Sequence, residues 1–594
     1  MKKRVADIIM DILVENGITD CFCVVGGGAM HLNNALAMRN DITTYFNHHE
    51  QACAIAADSY ARLSGKIPLV CVTSGPGGTN ALTGVMGAWQ DSLPMLVISG
   101  QVRYETSVPQ CGLELRYRGI QEFEVIPTVA KMTKYATMLT DPLAIRQELQ
   151  KCIDISLSGR RGPAWLDIPL DVQAALVDLQ KLYPTVITNS EPCCTLSEIT
   201  ELTELIKSAK RPVLLAGNGI VNSGNTGNFR EYASRLGVPV IAAAIASDVM
   251  YAEHPNFYGM AGTIGPRTGN FILQNADVIV TLGCSLGYKM TGFAVEYFAP
   301  NAYICAIDID ENEMKKPGIR VNRLIHSDLT YFLKHAIPEA TEINITSEWR
   351  NYCEMLKSKF SPYDPAVNID VNEKVCSYFF WKEYEQQEPD DGITVLGNNT
   401  ASSAKLQIGV RTQNQRIVAS NNCGSMGADL PEAIGAAVVT GRQVICLTGD
   451  GSIMMNLQEM QTIKHYDLPI KIVVFSNDGY NAIRQTCKNF FDGVYIGADS
   501  RTGISFPDFS KVAECFGFTY KKCASNNEVR DCLSWLLAEH SNCILEVQQR
   551  LDDPVNPRLM SRMSEDGVMQ TPALHDMFPF IDEVELHKLM VWEN

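Results

Sequence analysis

Short apolar runs that end in glycine or proline, each followed by a helical pattern, recur along this chain and constrain its fold more than any other feature. The first third reads "CFCVVGGG", "LVCVTSG", "PMLVISG" and "PAWLDIP". Such runs alternating with helices predict α/β architecture, with parallel sheets flanked by helices. Ligands in such sheets bind beyond the carboxyl ends of the strands. The glycine-rich strand ends are therefore the places to look for chemistry.

A polar stretch, "VITNSEPCCTLSE" at 186–198, separates this third from a second run holding "RPVLLAGNGI", "ADVIVTLGCSLG" and "AYICAIDIDENE". Charge and polarity rise again around 340–375. A third run follows with "GITVLGNN", "QVICLTGDGS", "IKIVVFSNDGY" and "CILEVQQ", and then a tail at 551–594 rich in Met, Asp and Pro. The expected organisation is three α/β domains and a C-terminal extension, without solenoid repeats. A length of 594 residues accommodates this.

The formal net charge of −17 argues against nucleic acid and anionic membrane as partners. No run of 18 or more apolar residues appears, and the basic start "MKKRVADIIMDILVENGITD" is interrupted by Asp7, Asp11 and Glu15. Neither a membrane span nor a signal peptide is expected. The 19 cysteines are scattered, mostly singly and often inside apolar runs, with no Cys-x-x-Cys ladder. That usage predicts reduced, buried thiols in a cytoplasmic protein, with no disulfide framework and no zinc site.

The stretch "TGDGSIMMNLQEMQTIKHYDLPIKIVVFSNDGY" (448–480) carries the most chemistry. It reads as strand, GDGS, helix, strand, then Asn-Asp-Gly. Asp450 and Asn477 are expected at the carboxyl edges of neighbouring strands. A carboxylate, an amide oxygen and the carbonyl of Gly479 form a hard oxygen set suited to Mg²⁺. Gly449 and Gly451, with Ser452, would let backbone N–H groups approach a phosphate at the next helix. Either motif alone is an ordinary tight turn; the two together, with strand–helix–strand between, are not.

At this point the chain resembles the thiamine diphosphate enzymes, with Ser476-Asn477 where that family usually has an Asn pair. The resemblance extends through "HHEQACAIAADSYARLSG", "VTSGPGGTNALTGVMGAWQDSLPMLVISGQV", "GRRGPAWLDIPLDVQ" and "GSMGADLPEAIGAAV", and is nearest to the acetolactate synthase branch. It implies a pyrimidine-binding domain at 1–185, a central domain at 190–345 and a diphosphate- and Mg²⁺-binding domain at 375–550. The family site lies between subunits, so a homodimer or homotetramer is implied.

The resemblance assigns roles residue by residue. Glu50 would hydrogen-bond the cofactor pyrimidine and favour the tautomer that removes the thiazolium proton. A carboxyl group shielded from water suits such proton sharing. Met426 would wedge the cofactor into its bent form, and the Gly424 carbonyl would hold the amino group. Gly397, Asn398, Asn399 and Tyr480 match the diphosphate region. Gly26, Gly27, Gly28 and Asn80 match the neighbourhood of the ring. Gln121 matches a glutamine that faces the reacting carbon. His48 and His49 read as structural or pocket-lining.

The departures fall on the acceptor side. The arginine that binds the second keto acid in acetolactate synthases becomes Lys289 in "SLGYKMTG". Lysine keeps the charge but loses the bidentate fork. A specificity tryptophan becomes Thr486 in "GYNAIRQTCKNFFDG", near Arg484 and Lys488. This "IRQT" form resembles acetolactate-synthase-like proteins of surface-sugar pathways. The expectation is therefore a 2-oxo acid, pyruvate, whose acyl-anion equivalent passes to a carbonyl acceptor such as a keto-sugar nucleotide. A biosynthetic acetolactate synthase, a simple decarboxylase and a catalytically silent subunit stand as alternatives. FAD stays open: "AGNGI", "GMAGTIG" and "AIDID" resemble its binding elements, whereas Ser285 removes an arginine contact.

Overall fold

The computed structural model describes residues 2–185, 191–553, 555–563 and 569–591. Residues 186–190 of the polar break and parts of the tail lie outside them. Eighteen of the described strands build three six-stranded α/β sheets, and the other four form two antiparallel pairs, Lys2–Arg4 with Leu176–Asp178 and Arg562–Met563 with Met569–Gln570. In the first, β1 (Asp20–Cys23), β2 (Thr43–Phe46), β3 (Leu69–Val72), β4 (Met95–Gln101), β5 (Tyr135–Met138) and β6 (Pro163–Pro169) lie in the order β2-β1-β3-β4-β6-β5. Every pairing in it is parallel. Strands β4 and β6 are buried along their whole length and are mostly apolar, their polar members Ser99, Gln101 and Asp167 being hydrogen-bonded to one another.

The second sheet holds β7 (Pro212–Ala216), β8 (Val240–Ala243), β9 (Phe257–Ala261), β10 (Val278–Leu282), β11 (Tyr303–Asp308) and β12 (Arg323–His326). Their order is β9-β8-β7-β10-β11-β12, again all parallel. The third contains β13 (Ile393–Leu396), β14 (Arg416–Val418), β15 (Val444–Gly449), β16 (Ile470–Ser476), β17 (Thr519–Cys523) and β18 (Cys543–Gln548), in the order β14-β13-β15-β16-β18-β17. The expected alternation of strand and helix is thus present in all three runs.

By contact density the chain falls into two compact units. One holds residues 1–190, 418–472 and 512–519; the other holds 191–417, 473–511 and 520–594. The first unit is built around the helix Glu50–Ser64. Twelve of its 15 residues are buried, and Gly65 ends it in the left-handed conformation (φ 68°). Two other helices, Leu82–Gln90 and Asp429–Thr440, press against it. A Cβ on Gly84 would fall 2.5 Å from Ala54 Cβ, so only glycine fits there. The run Ala52-Cys53-Ala54 therefore owes its small side chains to close helix packing.

In the second unit, the helix Asn481–Phe490 turns Asn481, Arg484 and Cys487 inward and leaves Thr486 and Lys488 exposed. That inward spacing of three residues is the helical repeat. The tail supplies buried Leu574, Met577, Leu589 and Met590 to the same unit. No helix among the described residues is long and apolar enough to cross a membrane.

Candidate active site

In the first unit, His49 caps the helix Glu50–Ser64, its side chain accepting from the Gln51 N–H at 3.1 Å. Glu50 is the first helical residue and is only 8% exposed. Its place at the helix N-terminus favours a negative charge. Asn80 Nδ2 donates to Glu50 Oε2 at 3.0 Å. Oε1 takes no hydrogen bond from the described residues; a Cβ added to Gly77 would stand 3.6 Å from it. One oxygen is thus held by Asn80 and the other takes no hydrogen bond from the described residues. Asn80, expected near the cofactor ring, holds the carboxylate directly.

Strand β15 ends at Gly449, and Asp450 follows it, 3% exposed. Ser452 bridges two loops. Its hydroxyl donates to Asp429 Oδ2 at 2.7 Å and accepts from the Gly427 N–H at 2.9 Å. Thr448 Oγ1 donates to the same Asp429 oxygen at 2.7 Å. Burial pushes the Asp429 carboxyl up, and these hydroxyls pull against that shift. Gly427 adopts φ 77°, a left-handed conformation, and a Cβ there would fall 2.6 Å from Met455 Cβ. Met426, half-buried, sits just before it. The preceding loop is anchored by Asn422, whose Nδ2 donates to Asp91 Oδ1 at 2.6 Å.

Asp91 belongs to a buried charge group. Arg62 Nη2 donates to Asp91 at 2.7 Å and to Asp58 at 2.9 Å. Burial drives the Asp58 carboxyl up to about 6. Glu432 lies fully buried with no hydrogen-bond partner on either carboxylate oxygen among the described residues, and its carboxyl is pushed well up by burial. An uncompensated buried carboxylate is so costly that such a group holds its proton.

Gly26, Gly27 and Gly28 follow β1. The Gly28 N–H donates to Thr73 Oγ1 at 3.0 Å, and Gln173 Nε2 donates to the Gly28 carbonyl at 2.8 Å. A Cβ on Gly26 would lie 2.5 Å from Thr73 Cβ. Close backbone approach therefore already requires glycine at 26. Gln121 is exposed and left-handed (φ 59°), and its carbonyl packs on Gly75.

In the second unit, Asn477 is 7% exposed. Its Nδ2 donates to Gln549 Oε1 at 2.8 Å, while its Oδ1 accepts from Arg484 Nη2 at 3.0 Å. The amide is thereby turned so that its oxygen meets the cation. Arg484 also donates to the carbonyls of Asn477 and Asp478. Gly479 (φ 146°) admits no side chain, because a Cβ would fall 1.9 Å from the Ala498 carbonyl. The Tyr480 N–H donates to that same carbonyl at 2.9 Å. Asn399 caps the helix Thr400–Ile408 by accepting from the Ser402 N–H, its own N–H donating to Gly397 O, while Asn398 is exposed. Lys289 and Thr486 are both exposed.

Within the second unit, the Asn477 amide oxygen and the Gly479 carbonyl are hard oxygen donors; within the first, the Asp450 carboxylate is another. Arg484, expected on the acceptor side, is instead buried against Asn477. Sequence reasoning passed over Asp429, Asn456 and Glu459 as site-builders. It also passed over Cys523, Glu528 and Cys532, whose ligand atoms lie within 4.8 Å of one another. A search for Cys-x-x-Cys does not find that spacing.

Three family models match this chain. They are the thiamine pyrophosphate enzyme N-terminal domain at residues 3–122, the central domain at 199–335 and the C-terminal domain at 396–547. The chain belongs to the thiamine pyrophosphate enzymes. Within the family it is similar to a probable acetolactate synthase large subunit of Methanococcus aeolicus, 30% identical over 95% of this chain and 94% of the relative. The acetolactate synthase isozyme 2 large subunit of Escherichia coli is 29% identical over 91% of this chain and 95% of its own length. A probable chloroplastic acetolactate synthase 2 of rice is 28% identical over 94% and 85%. The chain is thus a thiamine diphosphate-dependent enzyme of the acetolactate synthase-like branch.

Proposed function

We propose that this enzyme decarboxylates a 2-oxo acid, pyruvate, and transfers the two-carbon acyl-anion equivalent to a carbonyl acceptor. The observation that carries this reading is the Glu50 carboxylate, nearly buried, with Oε2 held by Asn80 and Oε1 open. Thiamine diphosphate, when bound, supplies the electron sink for decarboxylation. Glu50 would hold a proton at the cofactor's pyrimidine nitrogen, and the Met426 loop would fix the ring's approach. Asp450, Asn477 and Gly479 would hold Mg²⁺ and the diphosphate. A homo-oligomer in the cytoplasm, with domain boundaries near 185, 345, 375 and 550, accords with the family resemblance.

The acceptor we favour is a keto-sugar nucleotide. Lys289 and Thr486 are exposed and stand where acetolactate synthases carry groups for a small keto acid. FAD would be structural if bound, because acyl transfer from pyruvate has no net redox change. The test is product analysis by mass spectrometry with pyruvate alone and with keto-sugar nucleotides, together with the absorption spectrum of released cofactors. Abundant acetolactate from pyruvate alone would sink the sugar acceptor, and free acetaldehyde alone would mark a decarboxylase.

A further inference from the structure

The segment after GDGS grips both elements that would meet the cofactor ring. Asn456 is 1% exposed. Its Nδ2 donates to Gln51 Oε1 at 3.0 Å and to the Gly427 carbonyl at 2.7 Å. Gln51 adjoins Glu50, and Gly427 adjoins Met426. Its Oδ1 accepts from Gln458 Nε2 at 3.1 Å, which fixes the amide so that the NH₂ group faces both acceptors. Three residues on, Glu459 Oε2 accepts from Asn47 Nδ2 at 2.8 Å and Oε1 from the His48 N–H at 3.0 Å. Ser452 holds the Gly427 N–H from the other side. Every polar group in this bridge is directional, so it sets a separation as well as a contact.

We propose that Asn456 is a positioning residue that fixes the Glu50-bearing segment relative to the Met426 loop. It would do so by sharing one amide between Gln51 and Gly427. The inference rests on the reading of Glu50 as the proton-holding group. A cap with a merely local role would need neither of these two acceptors, which lie 405 and 29 positions away. Loss of the bridge would leave the diphosphate grip intact and loosen the geometry between base and ring. Small misplacements of that kind slow chemistry more than binding.

The test compares Asn456→Leu, Gln51→Leu and the double variant in the full chain. Three quantities are read: deuterium exchange at the thiazolium carbon of bound thiamine diphosphate, the cofactor's Kd, and amide exchange of residues 424–430 without cofactor. Each single variant should slow thiazolium exchange roughly tenfold. The double variant should be no slower than the worse single, because both remove one bridge. Cofactor Kd should hold within about threefold, and amide exchange at 424–430 should quicken in Asn456→Leu. If Asn456→Leu does not fold, Gln51→Leu decides alone, by the same exchange rate. Wild-type exchange in a folded single variant overturns the proposal, as do losses that multiply in the double variant. Glu50→Gln separates the two levels: wild-type exchange there removes the reading beneath, whereas slow exchange there with fast exchange in Asn456→Leu removes only this inference.

Discussion

A Cβ on Gly435 would lie 1.9 Å from the carbonyl oxygen of Ala56, and 2.3 Å from Ser59 Oγ. The Ser59 hydroxyl donates to the Glu432 carbonyl at 2.7 Å across the same helix crossing. Backbone and backbone are therefore in direct contact where Asp429–Thr440 meets Glu50–Ser64. Gly435→Ala should force the helices apart and lower stability by about 1–3 kcal/mol, the usual result of overpacking. Urea unfolding of the variant checks this, with an unchanged midpoint counting against so tight a crossing.

Asp167 is fully buried, accepting from Ser99 Oγ at 2.5 Å and Gln101 Nε2 at 3.0 Å. Burial raises its carboxyl from 3.8 to about 7, against those two hydrogen bonds. Between those values the folded chain keeps a proton that the unfolded chain has released. Stability contributed by this group must then fall as pH rises from about 4 to about 7, by up to about 1.4 kcal/mol per pH unit. Asp58, raised to about 6, acts in the same direction. Urea midpoints measured from pH 5 to 7.5 should show a shallower slope in Asp167→Asn than in the wild type; equal slopes would refute the assignment.

Glu50→Gln keeps the shape of the side chain and removes its proton-holding capacity. Turnover of pyruvate should fall by 10²-fold or more, in the range of lost acid–base groups, about 10²–10⁴. Asn80→Ala leaves the carboxylate in place without its donor, and a smaller fall of roughly tenfold is expected. Reversing that ranking at saturating cofactor would place the chemistry elsewhere.

Arg484 and Thr486 lie two residues apart on one helix and should behave oppositely. Arg484 donates to three oxygens of Asn477 and Asp478. Arg484→Lys retains the charge without the fork, so more Mg²⁺ should be needed for half-maximal cofactor binding. Thr486→Ala, exposed, should leave stability within about 0.5 kcal/mol. Its effect should fall on acceptor KM, measured by steady-state kinetics with each acceptor.

Much of this was visible in residue order. Strand ends marked by glycine, the acid heading the Ala-rich helix and the GDGS turn all report on neighbours within a few positions. Asn456 and Glu459 were not visible, because their partners at 51 and 47 lie more than 400 residues away and look like ordinary polar side chains. Gly26 is also required by Thr73, which packs against its backbone, a contact residue order does not reveal. Arg484 was expected on the acceptor side; its burial was not legible, because the apolar Ile483, Cys487 and Phe490 fall at helical spacing yet Ile483 and Phe490 stay exposed while polar Asn481 and Arg484 turn inward.

The helix Glu50–Ser64 has no free side. With 12 of its 15 residues enclosed and glycines pressed against it at 84 and 435, almost any enlargement along it collides with a neighbour. Lys289 and Thr486, by contrast, lie in solvent. Substitutions can therefore accumulate at those exposed positions while the stretch that carries the acid stays fixed. Enlargements along this helix should surface as folding defects, whereas changes at the exposed positions leave the scaffold intact.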